Sequence, residues 1–186
     1  NAQGQLFPSP TEDFYLPIRL VEPLQGNEAA VGLDVLNSPQ TGHTVKAAIR
    51  TGLPQVTTGF RLVQETGDQR GVVMYQVVYP AGMPDVAYPG VQNVVGAVAA
   101  AFRMDDIVQA LRGDPGTPEY LPLEYFNTCL IDPAAPNDNQ RLSGPVGCGG
   151  AMAAKARHFS SLPVQFGERT WLFQVSSGPV FETSDN

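Results

Sequence analysis

Apolar residues along the chain recur in short runs broken by Gly, Pro and Asn, which reads as many brief elements rather than a few long ones. Phe14 to Val21 (FYLPIRLV) alternates apolar and polar from Pro17 onward and predicts a strand, turned by Glu22-Pro23 to Asn27. Ala30 to Leu36 is a second apolar run, short enough to be strand or helix. Ser38-Pro39 has the form of an N-cap followed by Pro at the first helical position. The spacing of Thr44, Val45, Ala48 and Ile49 carries a helix on to Gly52, a C-terminal glycine.

Three β-rich segments follow: Phe60 to Gln64, Val72 to Tyr79 and Val94 to Phe102. Thr66-Gly67-Asp68 predicts a hairpin between the first two. The continuous apolar third segment reads as a central strand buried on both faces. Asp105 or Asp106 caps a short amphipathic helix carrying Ile107, Val108 and Leu111, ended by Arg112-Gly113. Asp114 to Pro122 is a Pro/Gly-rich boundary. Beyond it come a strand over Glu124 to Ile131, a loop, a short helix over Ala151 to Arg157, and closing strands over Leu162 to Phe166 and Thr170 to Ser176. The tight turn Gly167-Glu168 joins those strands. The predicted class is α+β, in two units over 1–113 and 114–186 that share a design of strand, helix or loop, then hairpin.

Composition narrows the function. Of 186 residues 42% are hydrophobic, enough for an ordinary packed core, and 19 Gly with 17 Pro supply the turns. Net charge is −7, with eleven Lys and Arg scattered along the chain, which disfavours nucleic acid and anionic membrane surfaces alike. The longest uncharged apolar stretch, Val94 to Phe102, is nine residues, against about 20 for a membrane-spanning helix. Asn1 and Ala2 have the look of a tag remnant.

Two cysteines, Cys129 and Cys148, flank a loop rich in Pro, Asn, Asp and Gly. Either they form a disulfide, which implies an oxidising compartment such as the periplasm, or they are unrelated buried thiols. The loop composition favours the disulfide. Zinc would need further ligands, and His43 and His158 lie far off in sequence, so no metal site is expected. No nucleophile elbow, phosphate loop or metalloprotease helix is present, and helix capping accounts for Asp105-Asp106. No cofactor and no catalysis are expected. Asn27 is expected to build its turn, and Asp34 to accept hydrogen bonds from backbone N–H groups.

Pro17-Ile18, Val21-Glu22-Pro23-Leu24 and Gly26-Asn27-Glu28-Ala29-Ala30-Val31-Gly32-Leu33-Asp34 closely resemble the signature of the CHASE domain. The likeness continues through Thr51-Gly52, Thr57 to Glu65, Gly71 to Tyr79 and Gly96 to Phe102, with a fainter echo in Phe166-Gly167 and Arg169 to Trp171. CHASE domains are extracellular sensory modules of bacterial histidine kinases and diguanylate cyclases and of plant cytokinin receptors. The resemblance implies two tandem PAS-like units after a long N-terminal helix, which this sequence lacks, and a homodimer in the full receptor. It also implies a small-molecule or peptide ligand in the membrane-distal unit.

Thr57, Val63 and Tyr75 fall where the cytokinin-receptor branch lines its pocket. The acidic residue that grips the purine there falls near Thr41, which carries no charge, so the resemblance does not extend to cytokinin recognition. The expected function is a periplasmic ligand-binding sensor of a membrane-anchored receptor. The alternative is a ligand-free dimerisation or spacer module whose pocket is filled by residues such as Phe60, Met74 and Tyr75. The helix over Pro39 to Arg50 and the loop Pro80 to Pro89 are the expected mobile parts.

Overall fold

The computed structural model describes residues 11–63, 65, 67–82, 90–111, 113, 116–117, 120, 125–136, 139–148, 150, 154–178 and 180–181. The fold is α+β, with two helices and two antiparallel sheets, an organisation compatible with tandem PAS-like units. One compact unit comprises Asn1–Thr57, Leu62–Asp68 and Val73–Ala101; the other comprises Thr58–Arg61, Gln69–Val72 and Phe102–Asn186.

In the first unit the amino-terminal stretch is not a regular strand. Pro17 bridges Asp34 in isolation; a 3₁₀ turn forms over Glu28–Ala30, and the Ala30 to Leu36 run continues as turns and bends around that bridge, neither strand nor helix. Backbone bonds still join the two segments, from the Gly32 N–H to the Ile18 carbonyl, the Ile18 N–H to the Leu33 carbonyl and the Val35 N–H to the Leu16 carbonyl, and side-chain hydrogen bonds add to them. The Asp34 carboxylate accepts from the backbone N–H of Leu16 at 3.0 Å and of Leu36 at 3.1 Å, and from the Asn37 amide at 2.7 Å. The Asn27 amide donates to the Pro23 carbonyl at 2.9 Å and builds its own turn. Both roles are those read from the sequence. Asp34→Ala should therefore cost about 2 kcal/mol by stranding two backbone donors, with faster amide exchange at Leu16 and Leu36; unchanged exchange there would count against this anchoring role.

Helix α1 (Gly42–Thr51) buries Val45, Ala48 and Ile49, the i, i+3, i+4 stripe that defines one helical face. It starts later than Ser38-Pro39 implies: Thr41 is the N-cap, and Ser38 holds the preceding turn by accepting from the Gly42 N–H. Gly42 is small for a steric reason, since a Cβ there would lie 2.5 Å from the Leu36 carbonyl oxygen. At the other end Gly52, in the left-handed region with φ 68°, donates to the Ala48 carbonyl as the sequence implies. The last carbonyls find partners across the unit: the Tyr79 hydroxyl donates to Ile49 and the Gln76 amide to Gly52.

The three-stranded sheet runs β1 (Gln55–Val56), β2 (Gly71–Val78), β3 (Gly96–Arg103). Of the expected Phe60 to Gln64 strand, Gln64 lies outside the described residues and residues 60–63 show a single bridge, Phe60 to Gly71; β2 pairs instead with β1, Gln55 opposite Tyr75. β3 corrects the expectation of a central buried strand. It lies at the sheet edge, and Val98 through Ala101 are exposed. A run of Ala and Val is apolar by type, but its small side chains leave little area to bury, so periodicity alone misplaced it.

In the second unit α2 (Met104–Leu111) buries Met104 and Val108. Asp105 and Asp106 occupy its first turn rather than the cap, where they complement the helix dipole. The end is capped from a distance: the Gln69 side chain accepts from the Asp106 N–H and donates back to the Asp106 carboxylate. The four-stranded sheet has the order β5-β4-β7-β6, with β4 (Phe126–Ile131), β5 (Arg141–Ser143), β6 (Phe159–Phe166) and β7 (Arg169–Ser177). β5 lies inside the segment read from sequence as loop. The closing hairpin is where Gly167-Glu168 placed it, Phe166 opposite Arg169. Gly167 has φ 59°, the left-handed value that the first position of a type II′ turn requires. Of the expected Ala151 to Arg157 helix, residues 151–153 lie outside the described residues.

Register explains an oddity of β6. In a two-residue hairpin Phe166 and Arg169 form a hydrogen-bonded pair, so Pro163, opposite Leu172, occupies an alternate non-bonded position. Its missing N–H faces away from β7. Proline is thus tolerated on this edge strand and interrupts the donor row that another chain would need.

Cys129 and Cys148 form the disulfide, Cα atoms 5.7 Å apart, tying β4 to the segment after β5. Just beyond β4, Asp132 is fully buried and its carboxylate meets the Arg169 Nε at 2.7 Å.

Candidate ligand-binding site

Of the four positions singled out in the sequence, the structure brings Thr41 and Tyr75 together. α1 packs against the β1 side of the small sheet, placing its N-cap Thr41 beside the Tyr75 ring on β2. Both residues are buried. The Thr41 hydroxyl donates to the Val35 carbonyl at 2.7 Å and also lies within hydrogen-bonding reach of the Tyr75 phenol.

Burial pushes the Tyr75 phenol up from 10.0 to about 12, with the Thr41 hydroxyl beside it acting in the opposite direction. The folded chain therefore holds this proton more tightly than the unfolded chain. The associated stability is intact below pH 10 and is lost as pH rises toward 12, by at most on the order of 2–3 kcal/mol. Denaturation midpoints between pH 9 and 12 should fall more steeply for the native chain than for Tyr75→Phe, and absorbance at 295 nm should lose a late-titrating step in that variant. Equal slopes would mean that the phenol is not buried in solution.

Thr57 shares the Tyr75 face by register, since Gln55 lies opposite Tyr75 and Thr57 two residues on. It is wholly buried and zipped to Val73: its N–H donates to the Val73 carbonyl at 3.0 Å and its hydroxyl accepts the Val73 N–H at 2.9 Å. The hydroxyl thereby extends the ladder past the end of β1. Val63 sits half-buried in a turn after Leu62 and is not part of this group.

A separate open cleft of about 140 Å³ lies in the same unit, lined by Phe14, Leu16, Leu36, Ile49, Val91 and Gln92 among others. Its walls are anchored by the interactions described above. Asp34 fixes Leu16, and the Asn37 amide donates to the Phe14 carbonyl at 2.9 Å. No sequence signal marked this cleft, because its lining comes from segments spread from residue 14 to 94. Residues 83–89 of the Pro80 to Pro89 loop lie outside the described residues. Among the described residues no group of three or more His, Cys, Asp or Glu could hold a metal ion, and no helix is long and apolar enough to cross a membrane.

The family model of the CHASE domain matches residues 2–142, three quarters of the sequence, and the chain belongs to that family. CHASE domains are extracellular sensory modules of membrane receptors. The fainter likeness around Phe166 to Trp171 falls outside the matched span. No curated protein matches the chain.

Proposed function

We propose that this chain is the ligand-binding sensor of a membrane-anchored receptor such as a histidine kinase or diguanylate cyclase, exposed to the periplasm. Its ligand is a small molecule or peptide held in the first unit. The family match carries the reading. The interior of that unit supports it through a pair of buried hydroxyls, Thr41 and Tyr75, on the inner faces of α1 and β2. A neutral phenol and a threonine suit a ligand with uncharged hydrogen-bonding groups rather than a cation, since no carboxylate stands at Thr41. Thr57 shares the Tyr75 face of the sheet, and the proposed site includes Val63 only as the family resemblance implies. A ligand shifts the receptor's output only through its differential affinity for two arrangements of the domain.

One observation favours the second reading, a ligand-free spacer: Tyr75 is nearly fully buried in the resting core, and Thr41 is already paired with Val35. Native mass spectrometry of the purified chain, followed by denaturation to release bound molecules, separates the two. A stoichiometric small molecule that Tyr75→Ala fails to retain supports the sensor. A clean apo mass, with no metabolite raising the unfolding temperature of the native chain above that of Tyr75→Ala, would leave the spacer.

A further inference from the structure

Among the described residues the two sheets have four outer strands, and three of them are guarded against pairing with another chain. β1 is two residues long and follows Pro54, β5 is three residues long, and Pro163 interrupts the donor row of β6. β3 has no such guard. It runs for eight residues, Gly96–Arg103, at the outside of the small sheet, and the run Val94 to Phe102 contains no charge and no proline. Among the described residues no strand pairs with its outer side. Val98 through Ala101 are exposed one after another, Val98 to 65%. Neighbours on a strand point to opposite faces, so both faces of this stretch are open.

An open edge presents a row of backbone N–H and C=O groups, so what completes it is another strand. Side chains decide whose strand. Selection of a foreign peptide needs pockets or charges at alternate positions. Here one face offers Ala97, Ala99 and Ala101 and the other Val98 and Ala100, with neither charge nor bulk to read a foreign side chain. The same residues suit a copy of themselves. Opposite residues of an antiparallel pair share a face, so a twofold axis normal to the sheet must pass through one residue and its own copy. With the axis at Ala99, the middle of the uncharged run, Val98 meets Ala100, Ala97 meets Ala101, and Phe102 meets Gly96, larger against smaller throughout. The two Arg103 positions then stand roughly 26 Å apart, whereas a parallel pair would set them side by side.

We infer that β3 is a self-association edge, at which two copies of the chain pair β3 with β3, antiparallel about a twofold axis at Ala99. The pairing joins two three-stranded sheets into one of six strands. It also closes, because the outer strands that remain are the two short β1 strands. A strand pair of this length, built largely from Ala and Gly, buries less than the roughly 800 Å² per partner of a stable interface. The dimer therefore forms and parts reversibly. It stands whether or not the first unit takes a ligand.

The test is sedimentation velocity of the purified chain from about 10 µM to about 1 mM, with thiol cross-linking to fix the register. The sedimentation coefficient should climb with concentration toward that of a dimer. Ala99→Lys sets two like charges directly opposite each other at an exposed position. It should weaken association about tenfold and leave the unfolding temperature unchanged. The two native cysteines are bonded to each other, so a cysteine introduced by substitution is the one free thiol. With a short thiol-to-thiol cross-linker Ala99→Cys should be captured as a dimer, and Val95→Cys, also exposed but far from the axis, should not. A chain that stays monomeric at every concentration would overturn the proposal. So would a dimer that Ala99→Lys leaves intact, or capture of Val95→Cys as fast as Ala99→Cys, which would mean collision without strand pairing.

Discussion

Asp132→Ala is expected to lower the unfolding free energy by about 3–5 kcal/mol, the usual cost of removing one partner from a buried ion pair. For a chain of this size that is a fall of roughly 10 °C in unfolding temperature. The carboxylate is fully buried, meets the Arg169 Nε at 2.7 Å, and also accepts from the Ala134 N–H at 3.2 Å. Its loss leaves a guanidinium largely out of water without a counter-charge. Asp132→Leu combined with Arg169→Met removes both charges and should recover much of the deficit. Chemical denaturation of the two singles and the double forms the necessary cycle. A loss below 1 kcal/mol for Asp132→Ala would show that water reaches the arginine freely.

Replacing Cys129 and Cys148 together by Ser should cost about 3 kcal/mol, because the bridge closes a loop spanning 19 positions. Part of the loss is local. The Gly144 site, where a Cβ would crowd both Cys129 and Cys148, shows how tightly the chain is folded around the bridge. Reduction of the native chain should reproduce the effect, read as a lower denaturant midpoint. A midpoint indifferent to reductant would mean that the bridge does not form in solution.

What the sequence disclosed were features determined by neighbours along the chain. Gly52 ends α1 because a left-handed residue is needed there, and Gly167-Glu168 turns the last hairpin for the same kind of reason. Asn27 and Asp34 act on backbone groups within a short reach, apart from the Leu16 contact. Illegible were the features made by distance. Arg169 pairs with Asp132 across 37 positions, and Gln69 caps α2 across the same span. β5 is only three residues long, too short for a period, and β3 looked central because apolar type was read without regard to side-chain size. At the candidate site, the nearness of Thr41 to Tyr75 follows from α1 packing on the sheet. Neither residue's immediate sequence announces it.

The disulfide also bears on the order in which the second unit assembles. The β6–β7 hairpin is local and turns on two residues, so it can form early, whereas β4 must find β7 across a long stretch. Cys129 lies opposite Gln174, 45 positions away; through Cys148 the path from Cys148 to Gln174 is 26 positions. The oxidised chain therefore searches a smaller loop before docking β4, which by loop-closure entropy accelerates that step roughly twofold. A chain oxidised before the sheet closes would reach the four-stranded arrangement sooner than one oxidised afterwards.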